Sequence, residues 1–217
     1  MEVCLLPIPL YFAADCKEIV TIQNGLNRAL TGFGLSADGT LRLPEEIIPA
    51  LAVIDDAAPC AALPQEETLD ALAECCGEGC FFDFLRPRSA LHEALLRGIQ
   101  RRLPQAVPLL VPEAYHDIIP NSVCVASRAS PCNNWTEWCR ETQRRCPSGW
   151  CLELIPWDIR CRCRAIHGER RLPNACCMVS GTHYYDTPET LRQRLFIAQA
   201  HGCCAAIGLY RELKALA

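Results

Sequence analysis

The chain has 217 residues, half of them apolar and 21% charged, the balance of a globular protein with a sizeable core, which excludes a disordered chain. Its formal charge of −4 argues against general affinity for nucleic acid, since phosphate binding needs a basic face. No apolar stretch approaches the roughly 20 residues that span a bilayer, so no integral membrane protein is expected. The apolar start, residues 3–12, carries Pro7 and Pro9 behind an acidic Glu2 and reads as a strand, not as a signal peptide. Further apolar runs of strand length follow around 50–55, 80–85, 107–112, 121–127, 150–155, 175–181 and 203–210. Between them, helical spacing of apolar residues predicts helices over 17–30, 65–76, 88–102, 132–146 and 187–201. Two of these have specific boundaries: Thr187-Pro188 opens the last and His201-Gly202 stops it, while Arg88-Ser89 opens the third and Pro104 closes it. Residues 31–45 read as a hairpin turning at Asp38-Gly39.

Near-continuous apolar strands alternating with helices predict a parallel sheet covered on its faces, and eight of them favour closure. The expected fold is therefore α/β, a compact and somewhat irregular (β/α)8 TIM-type barrel, in a single domain over residues 1–217. An open doubly wound sheet is the alternative, but no Gly-rich phosphate loop follows any strand. The 17 cysteines are odd in number, sit largely within apolar runs, and belong to a chain too large to need disulfide staples. They point to a reducing, cytoplasmic location. Oligomeric state is not readable from the sequence.

In such a barrel, functional side chains lie just past the C-terminal ends of the strands. Polar groups concentrate there: Asp55 and Asp56 end the second run, Asp83 lies in the third, and Glu113, Tyr115 and His116 follow the fourth. Ser127-Arg128 follows the fifth, and Glu153, Trp157 and Asp158 mark the sixth. His183, Tyr184, Tyr185 and Asp186 come after the seventh, Tyr210 and Arg211 after the eighth. Carboxyl groups facing one another beside aromatic rings are what sugar chemistry requires: an acid for the leaving oxygen, a base or nucleophile opposite, and flat surfaces for pyranose faces. Each acid taken alone fits better as a helix cap or an ion-pair partner of Arg. Glu153 alternates in direction with Leu152 and Leu154, which turns it toward the barrel interior, where a carboxylate is costly unless paired or catalytic.

The segment Glu78-Gly79-Cys80-Phe81-Phe82-Asp83-Phe84-Leu85 resembles a degraded form of the Asp-Gly-x-Asp-x-Asp-x-Glu strand motif of family 18 glycoside hydrolases, the chitinase-like barrels. The resemblance implies that Asp83 stands where those enzymes have the Asp that positions an N-acetyl group. It also implies that Leu85 replaces their acid and Phe81 their middle Asp. It covers eight residues and the strand–helix order.

The combined expectation is a glycoside-hydrolase-like barrel that takes a small-molecule or oligosaccharide ligand, a carbohydrate or related polyol, at its C-terminal mouth. Asp83, Glu113 and Glu153 form the catalytic polar centre, with Glu113 and Glu153 as substitutes for the missing acid. Asp55, Tyr115, Trp157, His183, Tyr184, Tyr185 and Tyr210 contact the substrate. The alternative is a non-catalytic binding or structural barrel. No cofactor and no metal is expected: Cys161, Cys163 and His167 offer three ligand types, but no Cys-x-x-Cys occurs anywhere. Arg160, Arg162, Arg164, Arg170 and Arg171 read as a solvated loop face ahead of an anion site, and Ser180 with His183 lacks an assignable orienting carboxylate.

Overall fold

The computed structural model describes residues 6–56, 62–119, 121–128, 134–160, 169–171, 178–180 and 183–217. The chain groups into two compact units, Phe12–Val125 and the combination of Met1–Tyr11 with Ala126–Ala217.

The Phe12–Val125 unit starts within β1 (Leu10–Ala14) and runs through α1 (Cys16–Ile19), β2 (Asn27–Leu35) and β3 (Leu41–Arg42). It continues with β4 (Leu51–Asp55), α2 (Glu66–Cys75), β5 (Cys80–Asp83), α3 (Ala90–Arg102) and β6 (Leu109–Pro112). A single helical turn over Glu113–Tyr115 leads to β7 (Val123–Ser127). Strands β2, β4, β5, β6 and β7 pair in parallel in that order. The strand residues are apolar on both faces, as at Leu51, Ala52, Val53 and Ile54, because one face meets helices and the other the interior. Helices α2 and α3 approach closely at Gly98, where a Cβ would stand 2.6 Å from the Leu69 side chain. Arg102 fastens the pair through Asp70 at 2.6 Å and through Glu66.

Gly79, just ahead of β5, has φ +113°, and a Cβ there would meet Pro108 Cγ at 2.7 Å and its carbonyl oxygen at 2.9 Å. Only glycine satisfies both conditions. Gly79→Ala is expected to destabilise the protein by about 2 to 4 kcal/mol, combining backbone strain with the collision. A guanidinium unfolding curve checks this, and an unchanged midpoint would count against it.

The second unit contains α4 (Trp135–Arg145), β8 (Trp150–Glu153), β9 (Asp158–Arg160), β10 (Glu169–Arg171), β11 (Met178–Ser180) and β12 (His183–Tyr185). It ends with α5 (Pro188–Ala200), β13 (Cys203–Leu209) and α6 (Tyr210–Leu213). Strands β8 and β13 pair in parallel, whereas β10, β11, β12 and β9 form a separate antiparallel sheet in that order. Helix α5 begins with a capping box between Thr187 and Thr190 and with Pro188 in its first turn. Inside it, Arg194 is fully buried with Asp186, their side chains 2.7 Å apart and each 0% exposed. Asp186 also accepts from the Trp157 N–H at 2.9 Å and the Thr190 hydroxyl at 2.9 Å. The Arg194 guanidinium lies over the rings of Trp157 and Trp135, 4.1 and 4.4 Å from their centroids.

The strand order β1-β13-β8-β7-β6-β5-β4-β2, with β1 also pairing with β2, is that of a closed parallel (β/α)8 barrel, the expected class. One of the eight expected barrel strands changes identity. The run 175–181 is not a barrel strand: its described part, β11, belongs to the antiparallel sheet. The eighth barrel strand is instead β2, inside the segment read as a helix over 17–30 and a hairpin over 31–45. That helix shortens to Cys16–Ile19: Gly25, at φ +92°, lies in a turn that helical geometry does not allow, and the residues from Asn27 on find partners on β4. The hairpin turn at Asp38-Gly39 is present, with β2 antiparallel to β3 and Asp38 accepting from the Thr40 N–H at 3.0 Å. No helix among the described residues is long and apolar enough to cross a membrane.

Candidate functional site

The C-terminal ends of β2, β4 and β5 bring Gly34, Asp55 and Asp83 into register across three neighbouring strands. Residues in register on adjacent strands present side chains to the same face, at the ~4.8 Å spacing of the sheet. Asp55 and Asp83 are therefore side by side. The hairpin delivers Arg42 to this row, where its guanidinium forms an ion pair with Asp55. Gly34 leaves room for that approach: a Cβ there would lie 2.5 Å from Arg42 Nη2.

Asp83 has no hydrogen-bond or ion-pair partner among the described residues. Burial first, then the nearby charges of Asp55 and Asp56, pushes its carboxyl above the usual range. Two adjacent acids in unlike surroundings, one paired with Arg and one not, are how a site separates a carboxylate from a proton-carrying carboxyl group.

Asp56 turns away from this row and is nearly buried. Its carboxylate accepts from the backbone N–H groups of Leu85 and Arg86 at 3.0 and 2.8 Å, and Arg86 Nε donates to its carbonyl at 2.9 Å. His92 Nε2 lies 3.5 Å from the same carboxylate, and His92 Nδ1 lies 2.7 Å from the Tyr115 hydroxyl. A carboxylate only accepts, so the ring proton belongs on Nε2, and Nδ1 takes the hydrogen bond from Tyr115. Burial lowers the imidazole pKa, against the opposing pull of Asp56. Burial, helped by Asp56, pushes the Tyr115 phenol up to about 12. Phe84 stacks on His92 with centroids 4.3 Å apart and meets Tyr115 edge-on at 5.4 Å. Beside this group opens a cavity of about 220 Å³, with Asp55, Asp56, Arg86 and His92 on its polar side and Leu35 and Phe84 among its apolar lining.

The other expected site residues fall in varied places. Glu113 is exposed in the turn after β6, and Glu153 is half-buried at the end of β8, in register with Ile207. Tyr115 is 2% exposed, with its hydroxyl committed to His92. Trp157 is also 2% exposed, and its ring face rests on Arg194. His183, Tyr184 and Tyr185 form β12 of the antiparallel sheet, with His183 paired to Asp158. Tyr210 opens α6 beneath the Lys214 ammonium, 5.2 Å from its ring centroid. Cys161, Cys163, His167, Arg162 and Arg164 lie outside the described residues, and the same holds for the side chains of Arg160, Arg170, Arg171 and Ser180. Among the described residues no group of three or more His, Cys, Asp or Glu is placed to hold a metal ion.

The strand-end rule locates Asp55 and Asp83 but misses Arg42 and His92. His92 left a trace, an imidazole within the apolar stripe of Leu91, Leu95, Leu96 and Ile99.

No protein-family model matches the sequence, and no curated protein is similar to it. Among solved structures, the chain is similar to the Bacillus cereus spore cortex-lytic enzyme SleL, with a TM-score of 0.60 and 12% identity, covering 96% of this chain and 73% of that one. It is similar also to SleL of Bacillus megaterium QM B1551, with a TM-score of 0.58 and 12% identity, covering 95% and 72%. The chain thus shares the (β/α)8 barrel fold of these two spore cortex-lytic enzymes.

Proposed function

We propose that this chain is a glycoside-hydrolase-like barrel that binds a carbohydrate or related polyol at the C-terminal ends of its strands, with Asp83 as its central acid. The observation that carries this reading is the Asp55 and Asp83 pair, in register at two strand ends, one beside Arg42 and the other without a hydrogen-bond or ion-pair partner among the described residues and with a raised pKa. A carboxyl group that holds its proton to higher pH than a free one is suited to protonating a glycosidic oxygen or donating to a sugar hydroxyl. The fold shared with two cortex-lytic enzymes agrees with this chemistry. Glu113 and Glu153 supply the second carboxylate that hydrolysis needs, and His183, Tyr184, Tyr185 and Tyr210 supply further ligand contacts. Seven thiols that form no disulfide, at Cys16, Cys75, Cys76, Cys80, Cys146, Cys203 and Cys204, support a reducing compartment such as the cytoplasm.

One observation favours binding without hydrolysis: Leu85, at the position where the family 18 resemblance puts the acid, is 84% exposed and carries no proton to give. A panel of chromogenic glycosides, including N-acetylglucosaminides, separates the two readings. Hydrolysis above background by the wild type, lost in Asp83→Asn and reduced in Glu153→Gln, is the expected result for an enzyme. Rates equal to background for all three, with retarded migration in gels containing a polysaccharide, would leave the binding barrel. Neither turnover nor retardation would end the carbohydrate reading.

A further inference from the structure

Among the described residues, no hydrogen bond or ion pair holds the Asp83 carboxyl group in place. Strand pairing fixes the backbone up to Asp83, and beyond it the chain leaves the sheet. Four anchors then act on the next three residues: the Phe84 ring stacks on His92, the Leu85 and Arg86 N–H groups donate to the Asp56 carboxylate, and Arg86 Nε donates to the Asp56 carbonyl. All four end on Asp56 or on His92, and His92 is itself fixed by Asp56 on one side and Tyr115 on the other. The three partners come from three successive connections, after β4, on α3 and after β6, and their contacts tie those connections to one another.

We infer that Asp56, His92 and Tyr115 form a positioning unit for Asp83, holding Phe84-Leu85-Arg86 so that the neighbouring carboxyl stays beside Asp55 and partly out of water. None of the three touches the ligand in this role. The unit explains why a tyrosine and a histidine are buried with their polar atoms turned toward each other, a costly arrangement that packing alone does not require. The charged and titratable groups on the elements around Asp83 include Asp55, Asp56 and Arg42 on the β2 and β4 side, Arg86, Arg88, His92 and Glu93 after β5, and Glu113, Tyr115, His116 and Asp117 after β6. Tyr115→Phe changes no charge near Asp83, because the phenol, with its pKa pushed up to about 12, is neutral throughout; only the hold on the segment changes.

The inference builds on the carbohydrate reading, yet its test needs no ligand. The Asp83 carboxyl is titrated by carbon-13 NMR in the full chain, with its resonance assigned by its loss in Asp83→Asn. His92→Leu is expected to lower the Asp83 midpoint by roughly half a pH unit or more as water reaches the carboxyl. His92→Gln, which keeps an N–H toward Asp56, restores most of the shift. Leu72→Ala, a buried change on α2 of the same unit, lowers the melting temperature but leaves the midpoint in place. A midpoint unmoved by His92→Leu, or moved equally by Leu72→Ala, overturns the inference. Should His92→Leu fail to fold, Tyr115→Phe removes a single hydroxyl and is expected to give a smaller shift in the same direction; no shift there overturns the inference equally. A midpoint that moves as expected, in a protein that binds no carbohydrate, would keep the positioning unit and sink the carbohydrate reading.

Discussion

Asp83→Asn is expected to reduce glycoside turnover by about 10²- to 10⁴-fold, the usual contribution of a positioned proton donor, and at the same time to make the protein more stable at neutral pH. The second half follows from linkage. Folding raises the Asp83 pKa, chiefly by burial, so the folded state favours the protonated acid. Stability from this group is complete below its unfolded pKa and is lost as pH rises through the folded one. Asparagine keeps the shape and has nothing to ionise. Thermal melts at pH 4 and pH 8 should therefore show a gap between variant and wild type that widens at the higher pH. Equal melting temperatures at both values, or turnover untouched by the substitution, would show that Asp83 is an ordinary surface acid.

The largest effect on stability is expected at Arg194. Arg194→Ala strands the Asp186 carboxylate in a fully buried place with, among the described residues, only the Trp157 N–H and the Thr190 hydroxyl as donors, and it empties the space between the rings of Trp135 and Trp157. Breaking a buried ion pair from one side costs about 3 to 5 kcal/mol, most of it the penalty of the charge left behind. The double change Arg194→Leu with Asp186→Leu removes both charges and is expected to recover much of that loss. Denaturant unfolding of the two variants checks the pair. If the single and double changes were equally destabilising, packing against the tryptophans would account for the effect, and the ion pair for none of it.

Much of the barrel was legible because its strands are buried on both faces and so read as unbroken apolar runs: Leu51–Asp55, Cys80–Asp83, Val123–Ser127 and Cys203–Leu209 stand where the runs predict them. The strand Asn27–Leu35 was hidden because glycine, asparagine and arginine dilute its apolar content, and because its partners are supplied by tertiary structure. Conversely, residues 178–180 are apolar enough to resemble a core strand yet pair antiparallel outside the barrel. The site divides the same way. Asp55 and Asp83 could be found because strand ends are marked in the sequence. Arg42 meets Asp55 only after a hairpin folds back, and Tyr115 meets His92 across 23 residues, distances over which sequence periodicity carries no signal. Trp157, read as a flat surface for a sugar, is the stacking partner of Arg194, an arginine that helical spacing puts on the buried face with Leu191, Leu195 and Ala198.

The cysteines in the core have a consequence for how the molecule can be interrogated. Cys76 and Cys80 lie in one compact unit, Cys146 and Cys203 in the other, and all four are shut away from solvent. Burial holds the Cys80 thiol well above its ordinary pKa and lifts Cys203 to about 12, which leaves both unreactive while the protein stays closed. Each half of the barrel thus contains a built-in clock: alkylating reagents can capture these sulfurs only during transient opening, and their rates of capture time the breathing of the two halves separately, with no engineered label.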